Sequence, residues 1–237
     1  MWFKKRIYAD AAAATPLSPK AQRELVRLLR VYGNAGAIHQ EGVEAKKELE
    51  KARKSIADSI GAHADEIVFV ASGTEGNNLA IQGVLRHLLL EHGELGAITC
   101  AVEHQSILEP LRALEREGLY VTEMPVDTEG LVSPKALAEA VNEETVFVSI
   151  QLVNSEMGAI EPVKEIAKEI RKKRTLRQAQ DDLPLYLHTD ASQAPLWVDI
   201  NVEKLGVDLM PLDGQKVLGP KGIGALYIRR GTPIEPI

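Results

Sequence analysis

The sequence predicts an α/β protein of three layers, a mostly parallel sheet with helices on both faces. Two observations carry this expectation. From residue 66 onward, short apolar runs alternate with longer amphipathic segments, and strands separated by helices of ten or more residues need crossover connections, hence parallel neighbours. The chain has 237 residues, 45% of them hydrophobic and 26% charged, enough for a substantial core in one large domain with room for a small appendage.

The elements follow in order. SPKAQRELVRLLRVYG (18–33) reads as a helix with Ser18 as N-cap, Pro19 at the first helical position and Gly33 as the stop. After the loop GNAGAIHQ, the segment EGVEAKKELEKARKSIADSIG repeats apolar residues Val43, Leu49, Ala52, Ile56 and Ile60 at roughly helical spacing. Then come the strand EIVFV (66–70), the helix EGNNLAIQGVLRHLLL, the strand AITCAV, the helix SILEPLRALERE and the strand YVTEMPV. SPKALAEAV is a helix, TVFVSIQLV a strand, EPVKEIAKEIRKK a helix and LPLYLHTD a strand. VDLMPLD and GIGALYIRR read as two closing strands with Lys216 in their connection. RKKRTLRQAQDD (171–182) reads as a solvated helix end and flexible loop, with a partner-docking site as the alternative.

Composition excludes several classes. A net charge of -6 argues against a nucleic-acid or anionic-membrane partner, which needs concentrated positive charge. Asp10 interrupts the N-terminal apolar run before it reaches signal-peptide length, and no other run is long enough to span a bilayer. With Cys100 as the single cysteine, neither an internal disulfide nor a cysteine-rich zinc site forms, and a reducing, cytoplasmic setting is expected.

In open parallel sheets, ligands bind beyond the carboxyl ends of the strands. The segments there are ASGTEGNN, EHQS, NSEMG, DASQ and DGQK, all polar. Gly73 and Thr74 open a helix, where backbone amides and a hydroxyl suit a phosphate; capping by Ser72 or Thr74 is the plainer alternative. The glycines match neither common nucleotide fingerprint. Asp190 ends an apolar strand, where a carboxylate needs a partner such as a protonated ring nitrogen, or serves as an N-cap. His104 has no ligand cluster around it to make a metal site, and its flat ring can stack on another. Lys216 lies on the same sheet edge. An amine, a carboxylate for a ring nitrogen, a phosphate-binding helix start and a stacking ring form the set that pyridoxal 5'-phosphate requires.

The runs DAAAATP, YGNAGAIHQEG, ASGTEGNNLAI, EHQSI, VNSEMGAIEPV, HTDASQAP and GQKVLGPKGIGALYIRR, in this order over nearly the whole chain, resemble the cysteine desulfurases of the class V aminotransferase group. The resemblance implies the large domain of the aspartate-aminotransferase fold, a homodimer, and sulfur transfer from L-cysteine, giving L-alanine and an enzyme-bound persulfide, with an iron–sulfur scaffold or other sulfur acceptor as partner. It implies Lys216 as Schiff-base lysine, Asp190 as partner of the pyridine nitrogen, and His104 as stacking ring and candidate proton helper. It also implies Gln193 as donor to the phenolic oxygen, and Gly73 and Thr74 as phosphate ligands. Residues 1–237 become the cofactor-binding domain, with 1–60 an N-terminal helical arm and small-domain segment.

The resemblance has three departures. Asp213-Gly214-Gln215-Lys216 stands where the family commonly has Ser-x-His-Lys; Gln215 can still donate to a phosphate, whereas an ionised Asp213 repels it and is expected to point away, toward a backbone amide or a basic residue. Ser155 stands where a second asparagine is usual and reaches the phenolic oxygen less far, leaving a contact that is lost or bridged by water. The C-terminal small domain, with the persulfide cysteine and a carboxylate-gripping arginine, is absent, so the expectation is an N-terminal fragment or one half of a split enzyme. Cys100, in an apolar strand, is expected to be a buried thiol rather than its substitute. Transamination, selenocysteine lysis and a non-catalytic binding module stay open, because the cofactor site does not encode the substrate.

Overall fold

The computed structural model describes residues 6–178 and 183–237. Two helices come first, α1 (Pro19–Leu28) and α2 (Gln40–Ile60). Next are β1 (Ile67–Val70), α3 (Gly73–His92), β2 (Leu95–Cys100), α4 (Gln105–Glu115), β3 (Leu119–Met124), α5 (Pro134–Ala140), β4 (Thr145–Ser149) and α6 (Val163–Gln178). The chain closes with β5 (Tyr186–His188), α7 (Val202–Leu205), β6 (Leu209–Asp213) and β7 (Gly224–Ile228). Ser18 caps α1 ahead of Pro19, as the sequence suggests, and left-handed Gly61 ends α2.

The seven strands form one sheet in the order β1-β7-β6-β5-β4-β2-β3. The pairs β2/β3, β2/β4, β4/β5 and β5/β6 are parallel, while β7 runs antiparallel to both β1 and β6. The carboxyl ends of the other six strands therefore reach one edge. Alternating side chains feed two cores. Ile81, Leu85 and Leu88 of α3 and Leu111 and Leu114 of α4 pack with Leu95, Leu209 and Leu226. Ala57 and Ile60 of α2, Ile166 and Ile170 of α6 and Leu205 of α7 pack with Ile98, Met210 and Tyr227. This alternation is the strand period of two, and it gives the three layers.

Two strands are shorter than the apolar runs that encode them. Ordered pairing of 145–153 ends at Ser149, although Ile150 and Leu152 still donate to the carbonyls of His188 (3.2 Å) and Asp190 (2.9 Å). β5 keeps only three residues, and its register with β6 is the single pair His188 and Leu209. The next residue of β6 on the side of the Leu209 carbonyl is Pro211, which has no N–H to offer. The sheet opens there, between the residues that follow β5 and those that follow β6.

The segment 171–178 is more than a solvated helix end. Arg174 pairs with buried Asp208 and donates to the Leu185 carbonyl at 2.6 Å, tying α6 to the start of β6. The remainder, 179–182, lies outside the described residues.

Gly224 is a point of close backbone approach. It is in register with both Val70, the last residue of β1, and Asp213, the last of β6. A Cβ there would stand 2.6 Å from the Leu212 carbonyl oxygen and 3.0 Å from the Ser72 carbonyl carbon, both main-chain atoms. Gly224→Ala is expected to destabilise the fold by about 2 kcal/mol or more, since backbone must shift to admit the methyl group; a urea-denaturation midpoint unchanged from wild type would contradict this.

Candidate active site

The carboxyl edge of the sheet holds a cavity of about 460 Å³. All nine residues singled out from the sequence line it: Gly73, Thr74, His104, Ser155, Asp190, Gln193, Asp213, Gln215 and Lys216. Asn77, Ser106 and Ser192 join them.

A chain of hydrogen bonds fixes one wall. Asn77, on the first turns of α3 and 1% exposed, uses its amide nitrogen twice, toward Asp190 Oδ2 and Ser106 Oγ, each at 2.8 Å. Ser106 Oγ lies 2.7 Å from His104 Nδ1, and that ring nitrogen also accepts the Ser106 backbone N–H at 3.1 Å. An Nδ1 that accepts from a backbone amide carries no proton in the neutral ring, so the hydroxyl donates to it and the proton resides on Nε2. The other oxygen of Asp190 accepts the Ser192 N–H at 2.8 Å. Asp190 thus closes a turn rather than capping a helix, since none follows it before α7, while its carboxylate also faces the cavity.

Sequence reading singled out Asp190 and His104 and passed over Asn77 and Ser106, which join them. The signal was within the quoted motifs, since a buried asparagine on an amphipathic helix needs partners. It could not be read from spacing, because the partners lie 29 and 113 residues away.

Lys216 sits at the end of a 3₁₀ turn, Gly214–Lys216, that follows β6. Its Nζ donates to the carbonyls of Ala12 and Ala13, the latter at 2.8 Å. Gln193 Nε2 donates to the same Ala12 carbonyl at 2.8 Å. The N-terminal segment lies across the turn by further bonds: Thr15 N and Oγ1 donate to the Gln215 carbonyl, each at 2.8 Å, and Leu218 N donates to Thr15 Oγ1 at 2.7 Å. Leu218 holds a left-handed φ of 62°, a costly conformation for a leucine that these contacts impose.

At the start of α3, Ser72 is the N-cap, accepting from Glu75 N at 3.2 Å, which leaves Thr74 beside the cavity. Gly73 makes room there, because a Cβ would stand 2.3 Å from Ser192 Oγ, a buried hydroxyl without a hydrogen-bond partner among the described residues. Asp213 departs from expectation. Its carboxylate does meet backbone amides, but one is Gly73 N at 3.3 Å, so it points at the helix start rather than away. Gln215 gives it both a backbone N–H (3.0 Å) and its side-chain amide (3.3 Å). Ser155 lines the opposite wall and is exposed, while Asn154 turns inward and accepts from Glu156 N (2.9 Å) and Met157 N (2.8 Å).

Buried ionisable groups lie behind the cavity. Burial pushes the carboxyl of Glu103 well above its ordinary range, against the pull of the Gln151 N–H it accepts at 2.6 Å. Cys100 donates to Glu103 at 3.3 Å, and burial, with the Glu103 charge, pushes its thiol up. No cluster of metal-ligating side chains occurs among the described residues, nor is any helix there long and apolar enough to cross a membrane.

A family model for class V aminotransferases matches residues 7–237. The chain belongs to that family. It is 41% identical over 235 residues to the cysteine desulfurase IscS of Dictyoglomus turgidum, covering 99% of this chain and 57% of that protein. It is 40% identical to the mitochondrial cysteine desulfurase of Drosophila melanogaster, covering 98% of this chain and 48% of that one. The chain therefore spans about half the length of these relatives. Among solved structures, a NifS-like protein superposes with a TM-score of 0.91 at 34% identity, covering 98% of this chain and 61% of that one. A structure described as SspA in complex with cysteine superposes with a TM-score of 0.87 at 34% identity, covering 97% and 64%. The three-layer fold read from the sequence is that of these class V relatives.

Two predictions follow from the hydrogen bonds and the burial. Asn77→Ala removes two donors from buried acceptors and is expected to cost about 2 kcal/mol of stability, read by chemical denaturation; a variant as stable as wild type would show the bridge to be idle. His188, fully buried beside Asp190, has its pKa lowered from 6.5 to about 4 by burial, with the Asp190 charge opposing. Between those values the unfolded chain binds a proton that the folded chain refuses, so stability is lost as pH falls through that window. In His188→Gln, the dependence of stability on pH over the same window should shrink by up to about one proton; an unchanged slope would contradict the assignment.

Proposed function

We propose that this chain forms the cofactor-binding part of a pyridoxal 5'-phosphate-dependent cysteine desulfurase, acting on L-cysteine to give L-alanine and transferable sulfur. The observation that carries the reading is one cavity lined by the Lys216 amine, the Asp190 carboxylate, the His104 ring and the helix start at Gly73 and Thr74. The similarity to named cysteine desulfurases supports the reaction class, and the cysteine complex of a similar protein supports the substrate.

The donor set fits the cofactor at its ring end. Lys216 is the one lysine on the cavity wall among the described residues and the residue to take the aldehyde. Asp190, oriented by Asn77 and Ser192, suits a protonated ring nitrogen. Gln193, whose amide already donates toward the cavity's N-terminal wall, suits the phenolic oxygen, with Ser155 also on the cavity wall. The cofactor supplies a sink for the electron pair released at the substrate α-carbon.

The chain's own groups do the rest. An Nε2–H on His104, held by Ser106 and by Asn77 behind it, presents a donor at a fixed angle to the cavity. The Lys216 amine, once released from the Ala12 and Ala13 carbonyls, is the mobile proton carrier. Sulfur acceptance falls to neither, and Cys100 does not fill the role, since its thiol is buried and held protonated. The reading therefore calls for a thiol from outside these 237 residues, on further polypeptide or on a sulfur acceptor such as an iron–sulfur scaffold protein.

The proposal includes a homodimer in a reducing compartment such as the cytoplasm. The homodimer is supported by α1, which has no buried residue and, with its C-cap Leu29, leaves Leu25, Val26 and Leu29 exposed, a face suited to coverage by more protein.

The protein incubated with pyridoxal 5'-phosphate and reduced with borohydride should carry the cofactor on Lys216 by mass spectrometry, and Lys216→Ala should carry none. With L-cysteine and an excess of a small-molecule thiol, one equivalent taking the sulfur as a persulfide and a second reducing it to sulfide as the disulfide forms, alanine and sulfide should form in equal amounts. Absence of a Lys216 adduct would sink the cofactor assignment, and consumption of cysteine without sulfide or persulfide would sink the desulfurase assignment.

A further inference from the structure

We propose that Asp213 is a built-in occupant of the anion subsite at the start of α3, so that an incoming phosphate group must displace an internal carboxylate. The inference deepens the cofactor reading above and rests on it for the identity of the phosphate's bearer.

Three observations converge on Asp213. The residue is 6% exposed and ends β6, where its register with Gly224 sets it beside the Ser72–Gly73 turn. Its two oxygens collect three N–H donors: Gly73 N and Gln215 Nε2 on Oδ2, each at 3.3 Å, and Gln215 N on Oδ1 at 3.0 Å. Among the described residues it has no ion-pair partner within 4.0 Å, and Lys216 Nζ is turned to the Ala12 and Ala13 carbonyls instead.

Gly73 N is an amide of the first turn of α3, where the helix offers partial positive charge to an anion. Gln215 Nε2 is the side-chain donor that the sequence offers for a phosphate. Both are already engaged by a carboxylate. Beside them, Ser192 Oγ is buried, has no hydrogen-bond partner among the described residues and lies where a Gly73 Cβ would collide with it. The subsite thus holds one hydroxyl donor more than the carboxylate engages, and the anion it holds is covalently part of the chain.

A phosphate dianion entering this subsite meets a like charge in a partly desolvated pocket and must turn Asp213 out of its three hydrogen bonds. Asp213 then acts as a specificity-determining residue for the cofactor. It weakens the grip on the phosphate ester while leaving the ring-end contacts of Asp190, His104 and Lys216 intact. The ratio of affinities for pyridoxal 5'-phosphate and for unphosphorylated pyridoxal, ordinarily large where a phosphate cradle is open, is compressed in this chain.

The test compares wild type with Asp213→Asn, which keeps the shape and removes the charge, and Asp213→Ser, which also removes the reach to Gly73. Binding of pyridoxal 5'-phosphate and of pyridoxal is read from concentration series of the borohydride-trapped Lys216 adduct. Both variants should bind the phosphorylated form at least about tenfold more tightly than wild type, with pyridoxal changed by no more than about twofold. An equal gain for both compounds, or no gain for the phosphorylated one, overturns the proposal.

Inorganic phosphate alone supplies an arm that does not depend on the cofactor. At about 10 mM it should raise the melting temperature of Asp213→Asn and leave wild type unmoved. Wild type responding as strongly as the variant overturns self-occupation. If no protein forms a Lys216 adduct while the phosphate response remains confined to the variants, the cofactor reading fails and the anion-subsite assignment stands.

Discussion

The architecture turns on the placement of β7. Without it, β1 has no neighbour in the sheet, because β7 is its sole partner in the strand order. With it, the ends of β1 and β6 are brought to the two sides of a single residue, Gly224. The helix that starts after β1 and the lysine turn that follows β6 are therefore adjacent by backbone geometry, before any side chain is considered. One antiparallel strand, inserted among six that share a direction, sets side by side two segments that form the floor of the cavity.

On that floor, the polar groups are organised in two ways. Asn77 spends both amide protons linking α3 to the loop after β5 and to the first turn of α4, so that Asp190 and His104 belong to one rigid assembly. The carbonyl of Ala12 collects the Lys216 amine and the Gln193 amide on the other side. The first is buried and held by side chains of well-packed elements. The second is more open and depends on an irregular segment. Rigid groups of this kind orient a ring, and a loosely held amine can leave its partners when its role requires it.

Much of this was legible in the sequence, for physical reasons. Alternation of apolar runs with amphipathic segments is written in residues 66–213, and it identifies the sheet, its two covered faces and its functional edge. Side chains at that edge are polar where a buried strand would be apolar, so Asp190, His104 and Lys216 stand out. Less legible were features set by distant partners. The antiparallel sense of β7 depends on pairing with β1, more than 150 residues earlier. The early end of β5 depends on Pro211 across the gap. The direction of the Asp213 carboxylate depends on an amide at Gly73, whereas repulsion by a phosphate suggests the opposite orientation. Arg174 looked solvated among its charged neighbours, yet Asp208 draws it against the sheet.

The N-terminal segment carries a consequence for the order of assembly. The bonds joining Ala12, Ala13 and Thr15 to Lys216 and Leu218 span more than 200 positions. During synthesis, residues 12–15 emerge more than 200 positions before their partners exist. Loop closure over such a length is slow relative to helix formation and local strand pairing. The sheet and its two cores can therefore form around an unfinished cavity, whose last wall is laid down by residues made long before the partners they close upon.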